Sequence, residues 1–219
     1  MQIPRTRGFY VAVIIFLLTF VQLVIGAFAG LEQFDGKGFL YRLPAYPAMM
    51  LIVPIVWWWR DLGTLSDPSE RSLRRANGQR TPADELPWGA FALIMAPFLI
   101  DVTGNTVNLY DAVDWWDNAN HFFNWLLLLW GCGLLLRLIW SGPAWGLVLT
   151  ITGLGAILAV GWELGEWYTF IRRGTELDGA YEDTLSDELL GILGALIAGL
   201  IVGRRAKADE EVEDVAKVV

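Results

Sequence analysis

Apolar residues in this chain fall in long blocks separated by short polar joints, with no alternation of single apolar and polar positions. The blocks are Phe9–Ala29, Leu43–Trp59, Trp88–Tyr110, Trp116–Trp140, Trp145–Ile171 and Thr184–Gly203. A helix needs about 20 mostly apolar residues to cross the hydrocarbon of a bilayer, and each block is close to that length. The pattern predicts an all-α polytopic membrane protein. Its bundle of six transmembrane helices occupies residues 1–207, and an acidic tail follows over 208–219. The second block carries Pro44, Pro47 and Pro54, which predicts a kink. The third and sixth blocks are invaded at one end by polar residues. The first resembles a cleavable leader, with Arg5 and Arg7 before it and Ala27-Phe28-Ala29 at its end. Its apolar run exceeds the roughly 7–15 residues of a signal core, so it is read as a retained span.

Basic residues give these helices a direction. If the N-terminus lies inside, twelve Arg and Lys fall on the inner side: Arg5, Arg7, Arg60, Arg71, Arg74, Arg75, Arg80, Arg137, Arg204, Arg205, Lys207 and Lys217. Only Lys37, Arg42, Arg172 and Arg173 fall outside. The excess predicts that both ends are cytoplasmic. Tryptophans at 57–59, 88, 140 and 145 then mark the inner boundary and those at 115, 116 and 167 the outer one.

Composition adds two exclusions. The chain is 55% hydrophobic and 18% charged with a net charge of −8, so nothing in it resembles the basic footprint of a nucleic-acid binder. A single cysteine, Cys132, excludes an intramolecular disulfide, and an apolar run surrounds it.

The chemistry lies where polar residues enter the spans. The stretch WWDNANHFFNW holds the one histidine, His121, beside Asp117. Counting 1.5 Å per residue from each inner end places Asp101 and Asn105 about 20 and 26 Å up the third span. His121 and Asp117 then lie about 28 and 35 Å up the fourth, Glu163 and Glu166 about 27 and 32 Å up the fifth, and Asp187 and Asp183 about 26 and 32 Å up the sixth. The spacings Asp101/Asn105/Asn108 and Asp117/His121/Asn124 are i, i+4, i+7, Glu163/Glu166 is i, i+3, and Asp183/Asp187 is i, i+4. Each set therefore shares a helical face. Four helices are expected to line one outward-facing pocket with these groups.

So many carboxylates in low dielectric cannot all be ionised without compensation. Either a divalent cation (Mg²⁺, Mn²⁺, Ca²⁺ or Zn²⁺) is held by Asp117, His121, Glu163 and Asp187, or protons are shared among them. Glu166 and Asp183 are the candidate catalytic acid–base groups, and Asp101 and Asn105 complete the pocket. Plainer roles stand beside these. Asp183 or Asp187 suits a helix cap, Asn105 and Asn108 suit interhelical hydrogen bonds, and Glu166 suits solvation at the boundary. Asp111 and Asp114 read as loop acids. Gly131, Gly133, Gly153, Gly155, Gly191, Gly194 and Gly199 suit close helix approach.

The series Asp101-x3-Asn105, Tyr110-Asp111, Trp116-Asp117-Asn118-x2-His121-Phe122, Trp162-Glu163-x2-Glu166, Tyr181-x-Asp183-Thr184-x2-Asp187 and Gly191-x2-Gly194 resembles the YjdF-like bacterial inner-membrane family. More distantly it is similar to the VanZ-like family, which is associated with glycopeptide antibiotic resistance. The resemblance covers roughly residues 95 to 203. It implies a multi-pass protein of the bacterial inner membrane and marks Asp117, His121, Glu163, Asp183 and Asp187. Glu166 stands where the VanZ-like pattern often has Gln.

Three functions fit the pocket. One is a metal-dependent enzyme acting on a lipid or lipid-linked substrate, with Arg172 and Arg173 as phosphate ligands or as interface anchors. The others are a non-catalytic protein that binds a cation or lipid, and a proton- or cation-coupled transporter. No G-x-S-x-G nucleophile motif is present. Partners beyond the bilayer and the oligomeric state are left open.

Overall fold

In the computed structural model the described residues are largely helical, and among them six helices are long and apolar enough to cross a membrane. The structure describes the backbone of residues 7–64, 86–169, 171–173, 177 and 179–218. Side chains of 60–64, 173 and 208–218 lie outside the description. So do Arg5, residues 65–85, and the roles considered for Arg173 and for the acidic tail's side chains. The helices are α1 (Arg7–Phe28), α2 (Phe39–Thr64), α3 (Trp88–Thr106), the short α4 (Leu109–Ala112), α5 (Trp116–Arg137), α6 (Ala144–Thr169) and α7 (Ala180–Val218).

Which faces are buried follows from helical periodicity. In α1 the buried residues are Ala12, Thr19 and Leu23, a single stripe at i, i+7, i+11. Tyr10, Ile14, Leu17, Leu18 and Val21 are exposed on the other faces, where lipid would cover them. By contrast α3 is buried on several sides, from Phe91 and Ile94 through Val102. It packs between α1 and α5, α5 packs on α7, and α7 on α6, while α2 leans on α1 and α3. The bundle is thus an arc in the order α2, α1, α3, α5, α7, α6. Its two ends, α2 and α6, face each other across the mouth.

Glycines set the closest approaches. A Cβ at Gly194 of α7 would strike the Phe122 carbonyl of α5, and one at Gly131 would meet the Ala90 carbonyl at 2.7 Å. Backbone cannot give way as a flexible side chain can, so these positions require glycine. Gly153, expected among the packing glycines, has open space around it instead. Toward the other end of the arc, Leu129, Leu147, Ile151, Ala198 and Val202 form a fully buried apolar core between α5, α6 and α7.

Several boundaries differ from expectation: α5 stops at Arg137 rather than Trp140, α7 runs on to Val218 rather than stopping at Gly203, and three more bear on the site. α2 begins at Phe39 rather than Leu43 and runs on through Pro44, Pro47 and Pro54, which takes Arg42 into the helix. α3 ends at Thr106 rather than Tyr110, because Asn108 adopts φ 59°, a left-handed conformation that asparagine tolerates. Asn108 therefore leaves the face it was expected to share with Asp101 and Asn105. α7 starts four residues early, at Ala180, so Asp183 sits inside the first turn and is not the capping residue.

Gly194→Ala should cost at least about 1–3 kcal/mol, the usual range for overpacking, while Gly153→Ala should be neutral. Denaturation of the two variants in detergent checks this contrast.

Candidate functional site

A cavity of about 280 Å³ opens at the end of the bundle where α3 stops and α5 begins. Asp101 and Asn105 of α3, Asp117 and His121 of α5, Glu166 of α6, and Asp183 and Asp187 of α7 all line it. The four expected helices therefore do converge. Glu163 is not in the lining; it is buried behind His121. Asp183 is exposed at the rim. Asn108 does not line the cavity, and Asp111 reaches its mouth, half-exposed and salt-bridged to Lys37 at 3.0 Å.

One half of the cavity is a hydrogen-bond network centred on Asp101. Its Oδ2 accepts from Tyr46 Oη at 2.6 Å and from Arg42 Nη1 at 2.8 Å. Its Oδ1 accepts from Tyr110 Oη at 2.7 Å and, more weakly, from Asn105 Nδ2 at 3.4 Å. Asn120 Nδ2 donates in turn to Tyr110 Oη at 2.5 Å, and Asn124 Nδ2 donates to Asn120 Oδ1 at 2.8 Å. Tyr110 lies in α4, outside the spans. Burial and the neighbouring Asp101 carboxylate push its pKa far above the ordinary phenol value, so it stays a donor. Arg42 also reaches toward Glu166, with Nη2 to Oε1 at 4.0 Å.

Arg42 and Tyr46 had not been anticipated. Arg42 stands immediately before the apolar block counted as the second span, where an arginine reads equally as an interface anchor. The available signal was the Arg-x3-Tyr spacing, which puts both on one face of a helix begun at Phe39.

The other half surrounds His121. Its Nε2 is 3.7 Å from Asp117 Oδ1 and 3.6 Å from Asp187 Oδ2, and its Nδ1 is 3.9 Å from Glu163 Oε1. None of these is a hydrogen-bond distance. Two sets of donor atoms lie within 4.8 Å of one another and could hold a metal ion: Asp117/His121/Asp187 and His121/Glu163/Glu166. Donors about 2.0–2.2 Å from a tetrahedral ion stand roughly 3.3–3.6 Å apart, close to the spacing around Nε2. Asp187 is only 2% exposed, and its Oδ1 is a buried acceptor with no hydrogen-bond partner. Buried acceptors are rarely left so. The donor set fits a small divalent cation; Asp187 Oδ1 is one of three buried side-chain oxygens without a hydrogen-bond partner among the described residues, with Asn108 Oδ1 and Asn124 Oδ1.

Arg172 is exposed and its guanidinium lies 4.7 Å over the Tyr168 ring; it does not line the cavity. Cys132 is free and partly buried.

Six helices long and apolar enough to span a membrane, five of which line a polar, partly acidic cavity, define a polytopic membrane protein with a candidate cation site. The family described as "Predicted membrane protein (DUF2238)" matches residues 79–208, more than half of the chain, and the chain belongs to that family. The YjdF-like family expected from the motifs is this one. No curated protein and no solved structure matches.

Arg42→Met leaves Asp101 buried without its cation and should destabilise the protein by about 3–5 kcal/mol. Adding Asp101→Asn to Arg42→Met should recover part of that loss, because the neutral amide needs no counter-charge and its oxygen still accepts from one of the two tyrosines. Denaturation midpoints of the two single variants and the double variant test the pairing.

Proposed function

We propose that the cavity is the divalent-cation site of a membrane-embedded protein that acts on a lipid or lipid-linked substrate. The observation that carries this reading is Asp187, buried beside His121 with one carboxylate oxygen unpartnered. On this reading Asp117, Asp187 and His121 Nε2 hold the ion. One nitrogen ligand with two carboxylates suits Zn²⁺ or Mn²⁺ better than Mg²⁺ or Ca²⁺. One imidazole cannot offer both nitrogens to the same ion. Glu163, on the Nδ1 side, therefore takes the outer role of orienting the ring through Nδ1–H rather than that of a direct ligand.

A bound divalent cation would polarise an ester or phosphoryl oxygen and lower the pKa of bound water. Glu166, lining the cavity within 4.0 Å of Arg42, is placed to take a proton from an attacking water, and Asp183 at the rim to pass it to solvent. Arg42, fixed by Asp101, offers positive charge to a headgroup. The apolar core of Leu129, Leu147, Ile151 and Val202 supports a one-sided pocket over a transport pathway, since a pathway would need polar groups there. We further place the protein in a bacterial inner membrane with both ends cytoplasmic, which puts the cavity at the outer face; the excess of basic residues on one side supports this.

Elemental mass spectrometry on the purified protein tests the reading. Stoichiometric Zn²⁺ or Mn²⁺ is expected in the parent, reduced at least about tenfold in His121→Ala and Asp187→Asn, as expected when a direct ligand is lost. Equal metal content in parent and variants after incubation with either ion would sink it. Given a bound metal, release of phosphate or fatty acid from lipid-linked substrates, abolished in Glu166→Gln, separates catalysis from binding alone.

A further inference from the structure

A second cavity, of about 230 Å³, lies on the outside of the bundle between α2 and α6. These two helices are the ends of the arc and touch each other little. From Tyr41 to Met49 the groove follows about 12 Å of α2. Its floor on α6 is bare: Gly161 and Gly165 are exposed, and a Cβ at either would meet nothing within 4 Å. Ala45, Met49 and the two glycines make its deep end apolar.

The groove does not stop at the bundle surface. Arg42, Tyr46, Trp162 and Glu166 line it and also line the polar cavity, so these four side chains are the partition between the two. Within the partition, Arg42 and Glu166 stand 4.0 Å apart, a contact too long for a hydrogen bond. The combined space has an order along the membrane normal. Its polar end lies level with Arg42 and its apolar end lies deeper, toward Met49 and Gly161. A lipid has the same order, headgroup then chain.

We propose that the α2–α6 groove is a lateral entry for a glycerophospholipid. One acyl chain lies on Gly161 and Gly165, and the phosphate headgroup passes between Arg42 and Glu166 into the acidic cavity. The chain's place rests on the groove alone, whereas the headgroup's place rests on the divalent-cation reading above. A channel of this polarity gives a lipid access without leaving the bilayer, so the chain keeps its apolar surroundings throughout. Arg42 and Tyr46 are held by Asp101, so opening falls to Glu166 and Trp162, whose rotation leaves the helices in place.

The test uses the full chain in phosphatidylglycerol nanodiscs doped with a phosphatidylglycerol that carries a mid-chain diazirine. Crosslinks are mapped after illumination. Labelling is expected on residues 41–49 and 161–169 in excess over the exposed face of α1, which any bilayer lipid touches. Gly165→Leu and Gly161→Leu project into the groove from positions where an added Cβ meets nothing within 4 Å, and should cut that labelling about tenfold, the value of losing roughly two buried methylene contacts. Gly153→Leu, on the same helix and equally open, should leave it unchanged.

Even labelling of α1 and the groove, or groove labelling that survives Gly165→Leu, means ordinary boundary lipid and overturns the proposal. A diacylglycerol carrying the same diazirine should label the groove less, because it lacks the phosphate; equal labelling overturns the headgroup's placement. Metal content measured on the same preparations keeps the two readings apart. Groove variants that lose the lipid but keep the metal support the groove as a separate element. A parent with no metal but full groove labelling leaves the chain slot standing and removes the cation reading.

Discussion

A carboxylate buried in a bilayer-spanning helix must find its donors inside the protein, and Asp101 is the group on which the mouth of this bundle depends. Left unpaired, a buried charge would cost several kcal/mol, so the chain brings partners to it from separate elements. Arg42 and Tyr46 come from α2, Tyr110 from α4, and Asn105 from the same helix one turn on. Tyr110 is reachable because α3 breaks at Asn108, whose left-handed backbone turns the chain into α4. Through Asn120 the network reaches α5. One carboxylate thereby ties four helices together, including α2, which otherwise leans on the bundle mainly through apolar contacts.

That pairing also divides the cavity electrostatically. Arg42 is committed to Asp101 and reaches only the edge of Glu166. Among the described residues, the ion pairs of Glu163 and Asp187 are with His121 alone, on opposite nitrogens of the ring and at distances longer than a hydrogen bond. Half of the site is paired through Arg42, and the other half gathers Asp117, Glu163 and Asp187 around His121. Asp117, His121 and Asp187 form a group that could hold a metal ion, and Asp101 stands outside it. This asymmetry is why Asp101, alike in composition to the other acids, takes a structural role.

Much of this was legible from residue order. Six apolar blocks are hard to mistake, because a bilayer tolerates few other solutions for a backbone. Polar residues stand out against such blocks, so rise per residue and helical face were enough to gather Asp101, Asn105, Asp117, His121, Glu166, Asp183 and Asp187 around one cavity. Other features were hidden for physical reasons. Arg42 sits at a span's end, where an anchor and a buried pair look the same until the partner's position is known. Asn108 broke a helix that periodicity carried on to Tyr110, because left-handed backbone leaves no periodic trace. Glu163 and Asp187 share a depth but face opposite nitrogens of His121, a difference of helix rotation that counting along an axis cannot resolve.

The same arc that builds the polar cavity leaves its ends, α2 and α6, unsealed. A transport site would need polar groups continuing through the bundle, yet the deeper layer is packed with Leu129, Leu147, Ile151 and Val202. The openings lie instead at the rim, where Lys37, Asp111 and Asp183 meet water, and at the side, where Gly161 and Gly165 meet lipid. One wet entrance and one apolar entrance, meeting at Arg42 and Glu166, suit a ligand that is itself half polar and half apolar. An inorganic ion has no use for the lateral groove, and a wholly apolar molecule has none for the acids. On the reading proposed above, an amphiphile would be the ligand and a cation the means of holding its polar end.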